Sequence, residues 1–417
     1  MKLLHTSDWH LGHSLHDMPR DYEHRCFFDW LFGVIASEGI DALILSGDIF
    51  DTANPSAQAV SFWFRFLAAT KKQFPNLDVV AVGGNHDSAS RLDAPDPVLS
   101  EFGIRVVGGL PRTADSKIDI ERLLVPLTNS AGEVAAWLAA VPFLRAADLP
   151  HIPDEEKDPL VEGVRQLYRE VMDAARSVRE PGQALVITGH CYMTGGAVSE
   201  LSERKILGGN QHALPADIFS EDIAYGALGH LHLPQTVGGK ENVRYCGSPI
   251  PLSLAEAAYP NQVCVVELDG AICKGVSSIR VPRAVDMIRV PVHGSLPMED
   301  VVAKLGELPD CDESRDERTR PYLEVSVELE RPEPSLRQLL SEALAGKDAR
   351  LLKITTTYTG KGAPLAGSFT GQGLRDFTPE QVFAKRYESV CNMEPPAEIL
   401  SAFHELLEQV EQGEVLP

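Results

Sequence analysis

The chain is short of positive charge. Against 60 Asp and Glu it sets 38 Lys and Arg, a formal net charge of -22 over 417 residues. That balance cuts against a simple nucleic-acid binder with a basic face: either the substrate is not a polyanion, or cations and a partner supply the positive field. Cysteine is sparse as well. The seven residues Cys26, Cys191, Cys246, Cys264, Cys273, Cys311 and Cys391 are scattered, odd in number and without a C-x-x-C pair. This excludes a thiolate zinc finger and a disulfide framework, and leaves structural thiols in a reducing compartment. Long apolar runs are missing too: none approaches the roughly 18 residues of a membrane helix. The apolar stretch at the start is far shorter than the roughly 7 to 15 residues of a secretory signal core. The expectation is a soluble protein of the cytoplasm. What remains, 44% apolar and 24% charged residues, is globular, and the length suits two or three compact units better than one.

From residue 1 to about 280, short apolar strands alternate with helical stretches, which predicts an α/β fold. KLLHT (2–6), DALILSG (41–47), DVVAVGG (78–84), ALVITG (184–189) and AYGALGH (224–230) each end in a small, polar or histidine-bearing turn. Loops at strand ends converge in layered α/β folds, so residues far apart in sequence can share one site. Two helical stretches, HRCFFDWLFGVIA (24–36) and AVSFWFRFLAA (59–69), are rich in large apolar side chains. Phe62, Trp63, Phe64 and Phe66 cannot share one face at 3.6 residues per turn, so core burial and a dimer face near Phe28 and Trp63 both stay open. Residues 281–360 read as a separate β-α-β-α-β unit. Residues 361–377 are Gly-rich and read as a flexible linker. Residues 378–417 resume helix, with Thr378 as an N-cap and an apolar stripe of Ile399, Phe403, Leu406, Leu407 and Val410.

The chemistry lies in HTSDWH (5–10), SGDIFD (46–51), GGNHD (83–87), TGH (188–190) and GHLH (229–232). Each motif is weak alone. Together they place Asp8, His10, Asp48, Asn85, His190, His230 and His232 at predicted strand ends. Oxygen and nitrogen donors of this kind suit Mn²⁺, Fe or Zn²⁺, and the lack of thiolates argues against structural zinc. Seven ligands are too many for one ion and right for two that share a carboxylate. Such a pair, roughly 3.5 to 4 Å apart, lowers the pKa of water and clamps the oxygens of a phosphate ester. Phosphoester hydrolysis is the natural reading.

In this order, D-x-H, G-D-x-x-D, G-N-H-D, G-H and G-H-x-H resemble the calcineurin-like metallophosphoesterase superfamily. LLHTSDWHLG, GDIFDTANPS, GNHDS, VRYCGSPIPLSL (243–254) and TPEQVFAKR extend the resemblance to its bacterial SbcD family of nuclease subunits. The resemblance implies a β-sandwich flanked by helices (1–280), a small α/β cap domain (281–360) and C-terminal helices that dock on a partner. It implies that Asp8, His10, Asp48 and His232 hold one divalent ion and that Asp48, Asn85, His190 and His230 hold the other. Mn²⁺ is the expected metal. His86 resembles the family's catalytic histidine, with Asp51 orienting it where archaeal and eukaryotic relatives carry histidine. Asp87 is read as capping its turn or bonding behind the ligands. His5 is read as structural, His13, His16 and His24 as solvated, and His151, His212, His293 and His404 as uninvolved. Cys191 and Cys246 are read as buried, inert thiols.

The implied partners are an SbcC-type coiled-coil ATPase, DNA ends and hairpins, and a second copy of the chain, giving a homodimer within a heterotetramer. No membrane is implied; the chain would be nucleoid-associated when on DNA. The implied activity is 3′ to 5′ on duplex ends and endonucleolytic at hairpins. Arg20, Arg91, Arg204 and Lys205 are either phosphate contacts or ordinary solvated charges. The alternatives are a small-molecule phosphatase or cyclic-nucleotide phosphodiesterase on the same scaffold, and a metal-stabilised scaffold protein without turnover.

Overall fold

A computed structural model describes residues 1–149, 158–194, 213–312, 314, 316–359, 379–391, 393–396, 399–404 and 407. Thr378, Leu406, Val410, His151, His212, Arg204, Lys205 and the expected linker at 361–377 lie outside the described residues. The chain divides into two compact units, Met1–Ala284 and Val285–Pro417.

The first unit begins with β1 (Lys2–Thr6), α1 (Asp21–Glu38), β2 (Ala42–Ser46), α2 (Ala57–Gln73), β3 (Asp78–Val82) and β4 (Ile104–Val107). Then come β5 (Leu124–Thr128), β6 (Val134–Ala140), α3 (Pro159–Val178), β7 (Ala184–His190), β8 (Tyr225–Gly229), β9 (Gln235–Val237), β10 (Lys240–Tyr245), β11 (Gln262–Asp269) and β12 (Ile272–Arg280). They form two six-stranded sheets, ordered β12-β11-β1-β2-β3-β4 and β9-β10-β8-β7-β6-β5. In the first sheet β1 to β4 are parallel, with β11 antiparallel to β1. In the second, β6, β7, β8 and β10 are parallel.

The period of two along the strands sorts the side chains between two cores. Leu3, Ile44, Val80 and Val82 pack toward the second sheet with Leu138, Val186, Ile187 and Ala227. Leu4, Leu43, Leu45, Val79 and Ala81 belong to the other core, with Trp9, Phe27, Trp63 and Phe66. The central strands are therefore apolar on both faces, as parallel strands covered on both sides must be. Ser56 caps α2 by accepting the Ala59 N–H, and Asp158 caps α3 by accepting the Leu160 N–H. The aromatic helices go inward. Phe28 and Trp63, for which the sequence leaves both core burial and a dimer face open, are 5% and 2% exposed and pack on Trp9, with ring centroids 4.9 and 5.9 Å from it. Phe64 is the large apolar residue of α2 turned outward, at 37% exposure.

The second unit contains β13 (Met287–Val290), α4 (Met298–Gly306), β14 (Tyr322–Leu329), α5 (Leu336–Ala343), β15 (Arg350–Tyr358) and α6 (Pro379–Cys391). β14 is central and parallel to β13, to β15 and to the two-residue strand at Leu296–Pro297. Val325 and Val327 join Val301, Leu305 and Leu340 in its core, while Glu324, on the alternate face, pairs with Arg289 and Lys353. Phe403, of the expected apolar stripe, stacks on Phe383 of α6 at 4.1 Å between centroids. Among the described residues no helix is long and apolar enough to cross a membrane.

Candidate metal centre

Parallel strands present their C-terminal ends at one edge, and that edge is where polar residues collect. Asp8 and His10 follow β1, Asp48 follows β2, Asn85 and His86 follow β3, His190 ends β7, and His230 and His232 follow β8. The turns are pinned by backbone bonds from Asp8 N to Gly47 O and from His10 N to Asp48 O, both 3.0 Å. Close approach demands glycine twice. Gly47, at φ +92°, has no room for a Cβ against the His190 ring, and a Cβ on Gly84 would run into the Asp48 carboxylate.

All seven expected ligands meet in this nest. Asp8, His10 and His232 bring one donor atom each to within 4.8 Å of one another; so do Asp8, Asp48 and His190, and so do His10, Asp48 and His86. The Asn85 Oδ1 meets His190 Nε2 at 2.9 Å and His230 Nδ1 at 3.0 Å. Asp48 Oδ2 lies 3.2 Å from His190 Nε2 and 3.6 Å from His10 Nε2. Asp8 accepts the His230 N–H through both oxygens. Asp8, His10, Asp48, His190, His230 and His232 are all at most 7% exposed.

Burying so many ionisable groups together is costly unless a cation or a proton balances the carboxylates. Burial and His190 push His230 down to about 3, and burial lowers His10. Burial also opposes charge on His190, but the Asp48 carboxylate outweighs it and lifts that imidazole to about 9. Asp48 itself is held well below the carboxylate range: burial works the other way, and His190 and His10 prevail. The donor set fits divalent ions. His10 Nε2 is buried with no hydrogen-bond partner, and nitrogen and oxygen donors about 3 Å apart are spaced as neighbouring ligands of one small cation are.

The surroundings differ from expectation in places. His86 Nδ1 meets the Asp51 backbone carbonyl at 2.7 Å, whereas the Asp51 carboxylate serves His10 Nδ1 at 3.2 Å and His13 Nδ1 at 3.0 Å. Asp51 thus reaches His86 through its main chain, because the turn after β2 aims the side chain back toward His10. His13 is half-buried and tied on its other side to Leu252 O. His24 is not solvated: it is fully buried, with Nε2 2.7 Å from Trp9 O. Arg20 is buried as well, forked onto Glu23 and the Pro251 carbonyl, so it is neither a phosphate contact nor a surface charge. Arg91 is exposed and bonds Asn54. Asp87 accepts the N–H groups of Ile49, Phe50 and Gly84, and burial, then Asp48, raises it to about 6. His5 is buried against the Tyr225 hydroxyl; His16, His293 and His404 are exposed. Burial pushes the Cys191 thiol up to about 12 and Cys246 well above its ordinary value. The motifs do not reveal Glu256, which is fully buried and 3.0 Å from His232 Nδ1. Its signal in the sequence is faint: no other acid occurs between Glu241 and Glu256.

Residues 1–234 match the calcineurin-like phosphoesterase family. Residues 283–390 match the family described as type 5 capsule protein repressor C-terminal domain. The SbcD component of the SbcCD nuclease from Rhodobacter capsulatus is 37% identical over 93% of this chain and 94% of its own length. The chain belongs to the SbcD family. Other SbcD relatives are those of Escherichia coli K12, 32% identical over 68% of each chain, and Bacillus subtilis, 34% identical over 64% of this chain and 66% of its own length. As a calcineurin-like phosphoesterase of the SbcD family, the chain is a hydrolase of phosphate esters that uses divalent metal.

Proposed function

We propose that the chain is the nuclease component of an SbcCD-like complex, hydrolysing DNA phosphodiesters with divalent metal. The observation that carries this is the meeting of the seven donors at the C-terminal strand ends of the two sheets, in a chain similar over nearly its whole length to the SbcD component of an SbcCD nuclease. Asp8, His10, Asp48 and His232 form one cation seat; Asp48, Asn85, His190 and His230 form the other. The chemistry supplied by two bound ions, Mn²⁺ in this reading, is polarisation of a phosphoryl oxygen and a lowered water pKa. His86 has its Nδ1 committed to the Asp51 carbonyl, which leaves Nε2 to stabilise the pentavalent phosphate or protonate the leaving oxygen. Asp51 acts on the same histidine through that carbonyl.

Catalysis is assigned to residues 1–280, a cap to 281–360, a linker to 361–377 and docking on an SbcC-type ATPase to 378–417. The ATPase supplies the positive field that a net charge of -22 withholds. The chain acts in the cytoplasm, at the nucleoid when on DNA, 3′ to 5′ on duplex ends and endonucleolytically at hairpins. A second copy docks on the patch where Phe64, Val98 and Phe102, 37%, 63% and 59% exposed, gather around Leu67 and Ile104. Phe102→Asp should turn a micromolar dimer into a monomer by sedimentation; an unchanged sedimentation coefficient removes that patch from the proposal.

The deciding experiment is digestion of end-labelled duplex and hairpin DNA with Mn²⁺, by the chain alone, with its ATPase partner, and as His86→Gln. Cleavage lost in His86→Gln and made ATP-dependent by the partner is expected. Hydrolysis of a simple phosphodiester with DNA untouched in every mixture would replace this reading with a small-molecule enzyme.

A further inference from the structure

Behind the nest runs a chain of contacts that no ligand role explains. Glu256 is fully buried in the short turn Leu254–Ala258. Its Oε1 lies 3.0 Å from His232 Nδ1, and its Oε2 accepts the Leu252 N–H at 2.8 Å. The Leu252 carbonyl lies 2.9 Å from His13 Nε2. His13 Nδ1 lies 3.0 Å from Asp51 Oδ1, and the same oxygen lies 3.2 Å from His10 Nδ1. The path leaves one imidazole of the nest and returns to another: the His10 and His232 rings face each other edge-on, with centroids 5.3 Å apart.

Each end of this path fixes an imidazole through its outer nitrogen. A histidine whose Nδ1–H donates to a carboxylate is held in one tautomer and is a stronger donor through Nε2. The other side of the nest is built differently, since His190 Nδ1 is held by the Ser46 backbone carbonyl at 2.9 Å. One side thus has two carboxylates behind its histidines, and the other has a neutral carbonyl behind His190.

We propose that Glu256 and His13 are positioning residues in a hydrogen-bonded path that runs from His10 through Asp51, His13, Leu252 and Glu256 to His232, closed into a ring by the edge-on contact of the two end imidazoles, and that this ring sets the divalent-ion affinity of the His10–His232 seat separately from its neighbour. The inference rests on the two-seat reading above. The ring fixes the spacing of two imidazoles before an ion arrives, so little reorganisation is needed on binding.

The test is titration of the full chain with Mn²⁺, counting free ion by electron paramagnetic resonance, for wild type, Glu256→Ala, Glu256→Gln and His13→Ala. Thermal unfolding of each metal-free variant, followed by tryptophan fluorescence, controls for folding. Wild type should bind two ions. Glu256→Ala should weaken one of them by about 10- to 100-fold and leave the other unchanged. Glu256→Gln keeps the size and one acceptor and should recover part of the loss, and His13→Ala should weaken the same ion by a smaller factor. Should Glu256→Ala fail to fold, Glu256→Gln and His13→Ala still report on that one ion. Two ions bound by every variant as tightly as by wild type, or both weakened equally, would overturn the ring. A wild type that binds no Mn²⁺ would instead overturn the metal centre itself.

Discussion

The two units differ in where their backbones are strained. Among the described non-glycine residues, positive φ occurs at seven positions, all in the first unit. Four of these are nest residues: Asp8 at 54°, His10 at 47°, Asp48 at 49° and His230 at 107°. Each such residue costs on the order of 1–3 kcal/mol and persists only where its surroundings over-determine it. Here they do: β1 and β2 are buried on both faces and the turns beyond them are cross-bonded. The second unit has none of this among its described residues. Its sheet packs α4 and α5 on one side and carries the Arg289, Glu324 and Lys353 ion pairs on the other. A sheet can therefore be stable without strain, and strain gathers where donor atoms must be aimed.

The comparison breaks most sharply at Asp48. Asp48→Ala should abolish phosphodiester hydrolysis and the response to metal together. In wild type, Mn²⁺ at a hundred times its Kd should stabilise the first unit by about 2.7 kcal/mol for each ion bound, visible in the fluorescence of Trp9, Trp30, Trp63 and Trp137, the chain's four tryptophans. Asp48→Ala that still melts later with Mn²⁺ would contradict the shared carboxylate. His86→Gln should lower turnover by about 10²- to 10⁴-fold and leave Mn²⁺ binding intact; equal losses in both would make His86 a ligand instead. In the second unit, Leu340→Ala should cost about 2–5 kcal/mol, read by hydrogen exchange in α5 and β14. Mn²⁺ affinity should not move, and a change there would show that the strained site depends on the unstrained sheet.

Much of the site is legible in the sequence because each donor follows a strand of strongly apolar residues, and parallel strands must end together. What cannot be read there is which atom of a residue does the work. The motifs place Asp51 beside His86, but they do not say that the carbonyl faces His86 while the carboxylate faces His10. Arg20 and His24 look like charges at the start of an amphipathic helix, yet beyond the local Arg20–Glu23 pair they reach Pro251 O, 231 residues from Arg20, and Trp9 O. No local pattern encodes such contacts. The aromatic run of α2 requires that one stripe be buried, but not which: Ala59, Trp63, Phe66, Leu67 and Thr70 are, and Phe64 is not.

The smallest effect expected is a pH dependence belonging to the first unit alone. Burial, joined by Arg244, pushes His5 down to about 3, and burial pushes His24 to about 3 against its bond to Trp9. Without metal, His230 at about 3 and His10, also lowered, behave alike. In the unfolded chain these groups titrate near 6.5. Their contribution is therefore complete above pH 6.5 and is lost as pH falls, toward 3 for His5, His24 and His230, because the unfolded state takes up protons that the folded state refuses. Each group adds a slope on the order of 1 kcal/mol per pH unit in that window. Asp87, raised to about 6, opposes them between 6 and 3.8, since its folded form binds the extra proton. His190, raised to about 9, loses its contribution as pH rises from 6.5 through 9, and so lies outside the window. Four groups against one leave a net loss. Denaturant midpoints from tryptophan fluorescence in EDTA should fall between pH 6.5 and 5, and His24→Gln should flatten that fall whatever it does at pH 6.5. A midpoint that holds steady from 6.5 to 5 would mean that the buried histidines accept protons within the fold.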